Sequence, residues 1–221
     1  KRAYRDRFSI IRCKKCGIAW TDPLPAESEI PLFYPEEYHG KMGSQRFIPI
    51  MEFLVRLSRK KRADEVSSLN SGKPGRILDV GCGRGWMLSI LNAQGWDTYG
   101  TELSINSSTF ARDKLHLKVL TKKVDDCAFP SGYFDVVTLW HVMEHLPEPI
   151  LTLSEVSRIL KDSGLLIVEV PNFGGFQAGI FKNKWLHLDS PRHLFHFSAA
   201  GLKNHLEDSG FKVLKSRNLS W

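Results

Sequence analysis

The sequence predicts an α/β fold: a doubly wound, mostly parallel sheet in three α/β/α layers, with a small N-terminal appendage. Three observations predict it. Strand-like and helix-like segments alternate from residue 76 onward, the strands at 136–139 and 165–170 are almost continuously apolar, and a glycine-rich turn follows the first strand. Such alternation implies right-handed crossovers between parallel strands. Parallel strands are apolar throughout because helices cover both of their faces.

Each predicted element depends on the spacing of apolar residues and on the Gly and Pro residues between segments. A lead-in helix is expected over 47–69, where apolar residues recur near helical spacing, a last helix over 198–209 and a last strand over 211–219. The other predicted strands are 76–80, 97–101, 117–121, 134–139 and 164–170, and the other helices are 86–94, 104–115 and 149–160.

The chain is predicted to divide at residue 45. Residues 1–45 form the appendage, where several prolines rule out a long helix, and residues 46–221 form the main domain. Residues 171–197 make a long connection, rich in aromatic residues and histidines. Connections of this length inside a domain are usually functional, so we expect this one to cover the ligand cleft.

Composition excludes some classes of protein. The 221-residue chain has a formal net charge of +7 and no apolar run of membrane-spanning length, and its N-terminus lacks the apolar core of a signal peptide. We therefore expect a cytoplasmic protein with no membrane partner. Basic residues cluster before residue 16 and over 56–62. They indicate either a phosphate-bearing partner such as nucleic acid or a solvated helix face, and the second interpretation is preferred.

Four cysteines form no disulfide framework. Cys13 and Cys16 lie in a C-x-x-C-G knuckle, which is half of a tetrahedral zinc site. Two interpretations stay open: a truncated zinc ribbon whose zinc would be structural, or two inert surface cysteines. The oligomeric state is not predicted.

The segment 77–85 (ILDVGCGRG) carries the main functional signal. Gly81, Gly83 and Gly85 allow positive φ and let a ligand approach the backbone closely. A dinucleotide-binding turn would need glycine where Trp86 stands. Asp79 suits a cationic ligand better than an anionic pyrophosphate, so NAD is disfavoured.

The next strand ends at Glu102, about twenty residues further on, where a carboxylate accepts both hydroxyls of a ribose. Asp79 and Glu102 together therefore suit a nucleoside with a cationic amino-acid tail. S-adenosylmethionine has this chemistry.

Several segments resemble class I S-adenosylmethionine-dependent methyltransferases, which have a Rossmann-like fold. The resemblance covers about 70–221. It rests on 77–85, 100–104 (GTELS), 134–138 (FDVVT), 141–146 (HVMEHL), 160–166 (LKDSGLL) and 210–211 (GF). It implies a further antiparallel strand after the present C-terminus and a second cysteine pair upstream of Lys1, so we expect residues to be missing at both ends.

The resemblance also implies roles for individual residues. Asp79 faces the ammonium group of the cofactor, and Glu102 holds its ribose. An acidic residue after the third strand contacts adenine; Asp125 and Asp126 are candidates, although a gapless comparison places Lys123 and Val124 there. The residues of the glycine turn line the methionine end of the cofactor: Gly81, Cys82, Gly83 and Gly85. Trp140 and His141, at the end of the fourth strand, form a wall of the cofactor site.

A sulfonium methyl group is already activated, so the protein mainly has to hold an O, N or C nucleophile in line with it. A hydroxyl nucleophile also needs a general base, and histidine is the usual one. His145 and His193 are the candidates; each has the alternative of a structural, hydrogen-bonded histidine.

Metal binding is considered and not preferred. His141, Glu144 and His145 would share one face of a helix, which is a metal-ligand spacing. A second candidate set is His187, Asp189, His193 and His196. The preferred interpretation assigns no metal to the site.

The predicted function is methyl transfer from S-adenosylmethionine to a small molecule of sugar or secondary-metabolite type. One alternative is an RNA or ribosomal-component methyltransferase, which the basic clusters suggest. The other is a module that binds S-adenosylmethionine without catalysis.

Overall fold

The computed structural model describes residues 8–34 and 49–218. It forms two compact units. One comprises Glu36–Trp140 and Arg158–Val168, and the other comprises Lys1–Pro35, His141–Ser157 and Glu169–Trp221. We call them the sheet unit and the histidine unit. The predicted boundary at residue 45 lies outside the described residues and stays a prediction.

The strands are β1 (Ser9–Arg12), β2 (Ala19–Asp22), β3 (Arg76–Val80), β4 (Asp97–Thr101), β5 (Lys118–Leu120), β6 (Phe134–Trp140), β7 (Leu160–Glu169) and β8 (Phe195–His196). The helices are α1 (Pro49–Leu69), α2 (Trp86–Ala93), α3 (Ile105–Leu115), α4 (Pro149–Ile159), α5 (Phe176–Phe181) and α6 (Ala199–Asp208). None of the helices in the described ranges is long and apolar enough to cross a membrane.

The sheet unit contains a five-stranded sheet in the order β5-β4-β3-β6-β7. β3 pairs in parallel with both β4 and β6, and β4 pairs in parallel with β5. The chain therefore adds strands on one side of β3 and then returns to its other side. This reversal opens a crevice beyond the carboxyl ends of β3 and β6, where ligands bind in open α/β sheets.

The core of the sheet unit explains why these segments form these elements. Alternating strands and helices bury their apolar residues together, and α1 contributes to the same core as the strands. Its fully buried residues are Ala63, Val66, Ile77, Leu88, Leu91, Ala111 and Val136. The five strands predicted between residues 76 and 170 and the helices between them are present, with ends that differ by a few residues.

The histidine unit contains a three-stranded antiparallel sheet in the order β1-β2-β8. β8 lies inside the predicted 171–197 connection, which also contains α5 and two 3-10 turns. The N-terminal segment and this connection thus form one sheet. A short strand pair separated by most of the chain has no local sequence signal.

One predicted strand is wrong. The prediction placed a strand over 211–219, but residues 211–218 have no regular structure. A strand needs a neighbour to accept and donate its ladder hydrogen bonds. No described strand pairs with this segment, and Leu214 is 73% exposed. The apolar residues of this segment alone are therefore not sufficient to form a strand.

Candidate active site

The glycine turn between β3 and α2 follows the predicted backbone. Gly81, Gly83 and Gly85 have φ values of 68°, 57° and 74°. A Cβ at Gly85 would lie 2.5 Å from the Cδ1 atom of Leu117, so packing as well as φ requires glycine there. A Cβ at Gly83 would meet no described atom within 4 Å. Gly83 therefore borders open space that a ligand can occupy.

Asp79 is a buried carboxyl group near the end of β3. It is 5% exposed and accepts a hydrogen bond of 2.7 Å from Thr138 Oγ1 on β6. Burial raises the pKa of Asp79 to about 7, and the negative charge of Glu102 acts in the same direction. The Thr138 hydrogen bond and the charge of Arg62 oppose this rise. A buried carboxylate of this kind is stabilised by a cationic ligand.

Glu102 links the end of β4 to the glycine turn. Its Oε2 atom accepts a 2.9 Å hydrogen bond from the backbone N–H of Gly83, and its Oε1 atom accepts one of 2.7 Å from Ser104 N–H. The sequence suggested only a ligand contact for this carboxylate. The structure adds a second role, because Glu102 holds the turn in place.

Three further predicted contact residues are Cys82, within the turn, and Val124 and Asp125, which follow β5. Burial raises the pKa of the Cys82 thiol well above its usual value. A Cβ on Gly100 would lie 2.6 Å from the Cys82 sulfur, so this side chain packs against β4. Val124 and Asp125 lie in a 3-10 helix, where Val124 is buried and Asp125 is exposed. Their contact with adenine stays a prediction.

Arg62 on α1 is a residue that the sequence analysis missed as a site candidate. Its guanidinium lies 4.7 Å from the centroid of the Trp140 ring at the end of β6. Its charge also partly opposes the rise in the pKa of Asp79. The basic cluster over 56–62 was the available signal, but charge clustering does not indicate which arginine approaches the sheet.

His141 in the histidine unit is held by two carboxylates. Its Nε2 atom lies 2.8 Å from Glu169 Oε1, and its Nδ1 atom lies 3.6 Å from Glu144 Oε1. Burial alone would lower the pKa of His141, but these two carboxylates raise it to about 9. His141 is therefore a cation at neutral pH. Its predicted role as a wall of the cofactor site stays a prediction.

His145 and His193 were predicted separately, and the structure brings them together with ring centroids 4.6 Å apart. The Nδ1 atom of His145 lies 2.9 Å from the carbonyl oxygen of Arg192 and 2.8 Å from the hydroxyl of Tyr34. Burial, reinforced by the charge of His145, lowers the pKa of His193 to about 3. His193 is thus a weak base and a poor candidate for proton abstraction.

The helical metal-ligand spacing considered for His141, Glu144 and His145 does not form. Residues Met143–His145 form a single 3-10 turn, and His141 precedes it with φ of 56°. These residues therefore do not share the face of an α-helix. In the described ranges, Cys13 and Cys16 are joined by no third metal-ligating side chain, and the zinc ribbon stays a prediction. Backbone hydrogen bonds at Cys16 and Lys15 lower the pKa of the Cys13 thiol.

Comparison with known proteins decides the family. Residues 42–216 match a family described as "Methyltransferase domain". The chain belongs to this family. The match includes the glycine turn, Glu102 and all five strands of the large sheet.

Solved structures agree with this family assignment. An S-adenosylmethionine-dependent methyltransferase from Archaeoglobus fulgidus has a TM-score of 0.60 and 27% identity, with 71% of this chain and 69% of that one covered. A protein from Thermotoga maritima, named as a possible histamine N-methyltransferase, has a TM-score of 0.58 and 23% identity, with 72% of each chain covered. At this identity the likeness shows that the two chains share a fold. The predicted Rossmann-like fold of class I methyltransferases is confirmed.

Curated relatives match part of their own length. The ubiquinone biosynthesis O-methyltransferase of Aromatoleum aromaticum is 32% identical over 121 residues, which are 51% of this methyltransferase-family chain and 50% of the relative. The enzyme of the same name from Bradyrhizobium diazoefficiens is 27% identical over 76% of this chain and 62% of its own. The chain thus spans about half to three fifths of the length of these relatives.

Proposed function

We propose that this chain transfers a methyl group from S-adenosylmethionine to an oxygen, nitrogen or carbon nucleophile of a small molecule. The observation that carries the proposal is the hydrogen bond between Glu102 and Gly83, which joins an acidic strand end to an open glycine turn. Asp79 supplies a second carboxyl group at the end of the neighbouring strand. Their arrangement fits a ligand with a ribose at one end and a cation at the other.

The residues fit this cofactor in three respects. Gly83 leaves room beside the backbone, Asp79 is a buried acid that a cation would stabilise, and Arg62 offers a positive charge near Asp79 for a ligand carboxylate. When bound, S-adenosylmethionine supplies an activated sulfonium methyl group. The chain's own contribution is to orient the cofactor and the acceptor and to exclude water.

An oxygen acceptor is the proposed case. The curated relatives named as ubiquinone biosynthesis O-methyltransferases support it. A hydroxyl acceptor must lose a proton as the O–CH3 bond forms and the S–CH3 bond breaks. His145 is the proposed general base. The sugar or secondary-metabolite class of the acceptor and the cytoplasmic location stay predictions.

The nucleic-acid alternative loses part of its basis. Several basic side chains of α1 contact groups of the same chain: Arg62 lies over Trp140, Arg59 lies over Trp86, and Lys60 pairs with Asp64 at 2.7 Å. Surface charge that is used inside the chain gives no specific indication of a phosphate partner. The RNA alternative and the non-catalytic alternative both stay untested.

Titration of S-adenosylhomocysteine into the purified protein tests the cofactor site. Gly83→Ala should weaken binding at least about tenfold, since a methyl group would enter the space beside the turn. Gly132→Ala is the matched control, because Gly132 has φ of 62° and equally open surroundings, and it lies away from the turn. Equal affinity in the two variants would refute the site. Methyl transfer from labelled cofactor to candidate phenols and sugars then separates catalysis from binding alone.

A further inference from the structure

Three segments of the histidine unit, distant along the sequence, meet at one ring nitrogen. The Nδ1 atom of His145 lies 2.8 Å from the hydroxyl oxygen of Tyr34 and 2.9 Å from the carbonyl oxygen of Arg192. Tyr34 belongs to the N-terminal segment, His145 to the turn after β6, and Arg192 to the 171–197 connection. The N-terminal segment therefore contacts the side chain that is the proposed general base of methyl transfer.

The two oxygen atoms determine which nitrogen of His145 carries the proton. A carbonyl oxygen only accepts hydrogen bonds, so Nδ1 is assigned the proton and donates to Arg192. A phenol oxygen can also accept, and Tyr34 shares the same Nδ1–H. The opposite tautomer would place the Nδ1 lone pair 2.9 Å from the lone pairs of the carbonyl oxygen, which is repulsive. In the neutral ring, Nε2 thus carries the lone pair that a general base needs.

Local structure fixes the position of Tyr34. It directly follows the 3-10 helix Ile30–Phe33, and its backbone N–H donates back into that helix at 3.1 Å. The ring of the preceding Phe33 packs edge-on against Phe8, with centroids 6.1 Å apart. The Tyr34 ring itself lies edge-on to the imidazole of His145, also at a centroid distance of 6.1 Å. The backbone and the neighbouring rings therefore hold the phenol beside the imidazole.

The second acceptor, the carbonyl of Arg192, is also held in place. The backbone N–H of Arg192 donates to the Asp189 carbonyl at 2.9 Å, and its guanidinium pairs with the Asp189 carboxylate. Two residues later, Leu194 N–H donates to the carbonyl of Glu144, the residue before His145, at 2.7 Å. The connection and the turn after β6 are thus hydrogen-bonded to each other, which keeps the carbonyl against the ring.

The neighbours of His145 suit the positive charge that it acquires as a base. The His193 ring lies edge-on at 4.6 Å, and burial together with the charge of His145 lowers the pKa of His193 to about 3. His193 is therefore neutral at physiological pH and does not repel an imidazolium. A carboxylate oxygen of Glu144 lies within 4.8 Å of a ring nitrogen of His145. An opposite charge at this distance stabilises the cation.

We propose that Tyr34 is a positioning residue for the general base His145, an inference that rests on the proposed methyl transfer to oxygen. Tyr34 and the Arg192 carbonyl hold the ring with Nδ1 protonated and Nε2 unprotonated. Nε2 takes the proton of the acceptor hydroxyl, whose O–H electron pair stays on oxygen and forms the O–CH3 bond. The electron pair of the S–CH3 bond leaves with sulfur. The Tyr34 oxygen then accepts from an imidazolium, and such charge-assisted hydrogen bonds are stronger than neutral ones.

Methyl transfer by the full chain tests the proposal, with labelled S-adenosylmethionine and a candidate phenol or sugar that the parent methylates. Tyr34→Phe should lower kcat about tenfold, the lower end of what a hydrogen bond to a charged group contributes, because the Arg192 carbonyl still accepts. The acceptor KM should stay near the parental value. The acid limb of the kcat profile should move to lower pH by up to about one unit, since the imidazolium loses one acceptor. A merely structural role would not shift this limb.

Tyr133→Phe is the matched control. It removes a phenol hydroxyl in the sheet unit that lies 3.1 Å from the hydroxyl of Tyr99, and its kcat and pH profile should stay parental. Tyr34→Phe should have no further effect in a His145→Gln background, because Tyr34 acts through that ring. Circular dichroism checks that the variants fold. A loss in folded Tyr34→Phe that persists in the double variant, or that leaves the acid limb in place, would overturn the proposal.

Nitrogen NMR of the histidine rings adds a measurement that needs no turnover. The His145 signal, identified by its absence in His145→Gln, should show a proton on Nδ1 in the neutral ring. A proton on Nε2 would overturn this inference and leave the proposed function intact. A parent that binds S-adenosylhomocysteine but methylates no oxygen acceptor would instead refute the proposed transfer to oxygen, and the positioning role of Tyr34 with it.

Discussion

Glu102 Oε2 accepts a 2.9 Å hydrogen bond from the backbone N–H of Gly83. The acid at the end of β4 is therefore bonded to the turn that follows β3. The turn and the acidic strand end therefore form one hydrogen-bonded structure. A change at Glu102 should affect both the ligand contact and the conformation of the turn.

Glu102→Ala should lower affinity for S-adenosylhomocysteine by about 10- to 100-fold and destabilise the chain by about 1–3 kcal/mol, because it leaves two backbone donors without their partner. Glu102→Gln retains one oxygen acceptor and should fall between Ala and the parent in both respects. Calorimetric titration and thermal melts measure the two effects. An Ala variant with parental affinity would exclude a ligand role for this carboxylate.

Cofactor affinity should depend on pH through Asp79, whose pKa is raised to about 7. Below that pH, the empty site holds a neutral acid that must lose its proton to pair with an ammonium group. The dissociation constant for S-adenosylhomocysteine should therefore rise up to about tenfold per pH unit as pH falls below 7, and it should level off above. Asp79→Asn should bind weakly with a flat profile. A sloping profile in Asp79→Asn would assign the titration to another group.

Asp79→Asn should also stabilise the empty protein at neutral pH. The folded pKa lies above the usual value of 3.8, so the stability that the folded state gains from this proton is complete below pH 3.8 and is lost as pH rises to about 7. Asparagine stays neutral and still accepts the Thr138 hydrogen bond. Its advantage in unfolding free energy should grow between pH 4 and 7 to on the order of 4 kcal/mol, measured in urea. A constant advantage across this range would contradict the buried-acid explanation.

Gly85→Ala should destabilise the fold more than Gly83→Ala, although both positions have positive φ. The added Cβ at position 85 would lie 2.5 Å from Leu117 Cδ1, whereas position 83 is open. We expect a loss of about 2–4 kcal/mol for Gly85→Ala and about 1 kcal/mol for Gly83→Ala in chemical denaturation. In the Gly85→Ala background, Leu117→Ala should restore part of the lost stability, because it removes the side chain that the new Cβ would meet. In the parent, Leu117→Ala should give no such gain. Equal losses in the two single variants would show that φ alone determines the cost.

The sequence predicted the part of this protein that depends on local pattern. The apolar runs of β6 and β7 and the glycines before α2 are neighbours along the chain, and hydrophobic period and turn chemistry describe such segments well. Parallel strands align their carboxyl ends, so the acids at the ends of β3 and β4 were expected at one edge of the sheet. The wrong strand over 211–219 had a suitable pattern but no neighbour with which to pair.

By itself, the sequence determined the fold class, the order of strands and helices, and the pair Asp79 and Glu102 as the principal ligand candidates. Only the tertiary structure decided that Arg62 approaches Trp140, that β8 pairs with β2, and that His193 meets Glu144 and His145. The physical reason is the distance along the chain over which each kind of interaction acts. Backbone preferences and hydrophobic periods act over a few residues, whereas these contacts join distant segments that meet only when the whole chain packs its apolar surfaces together.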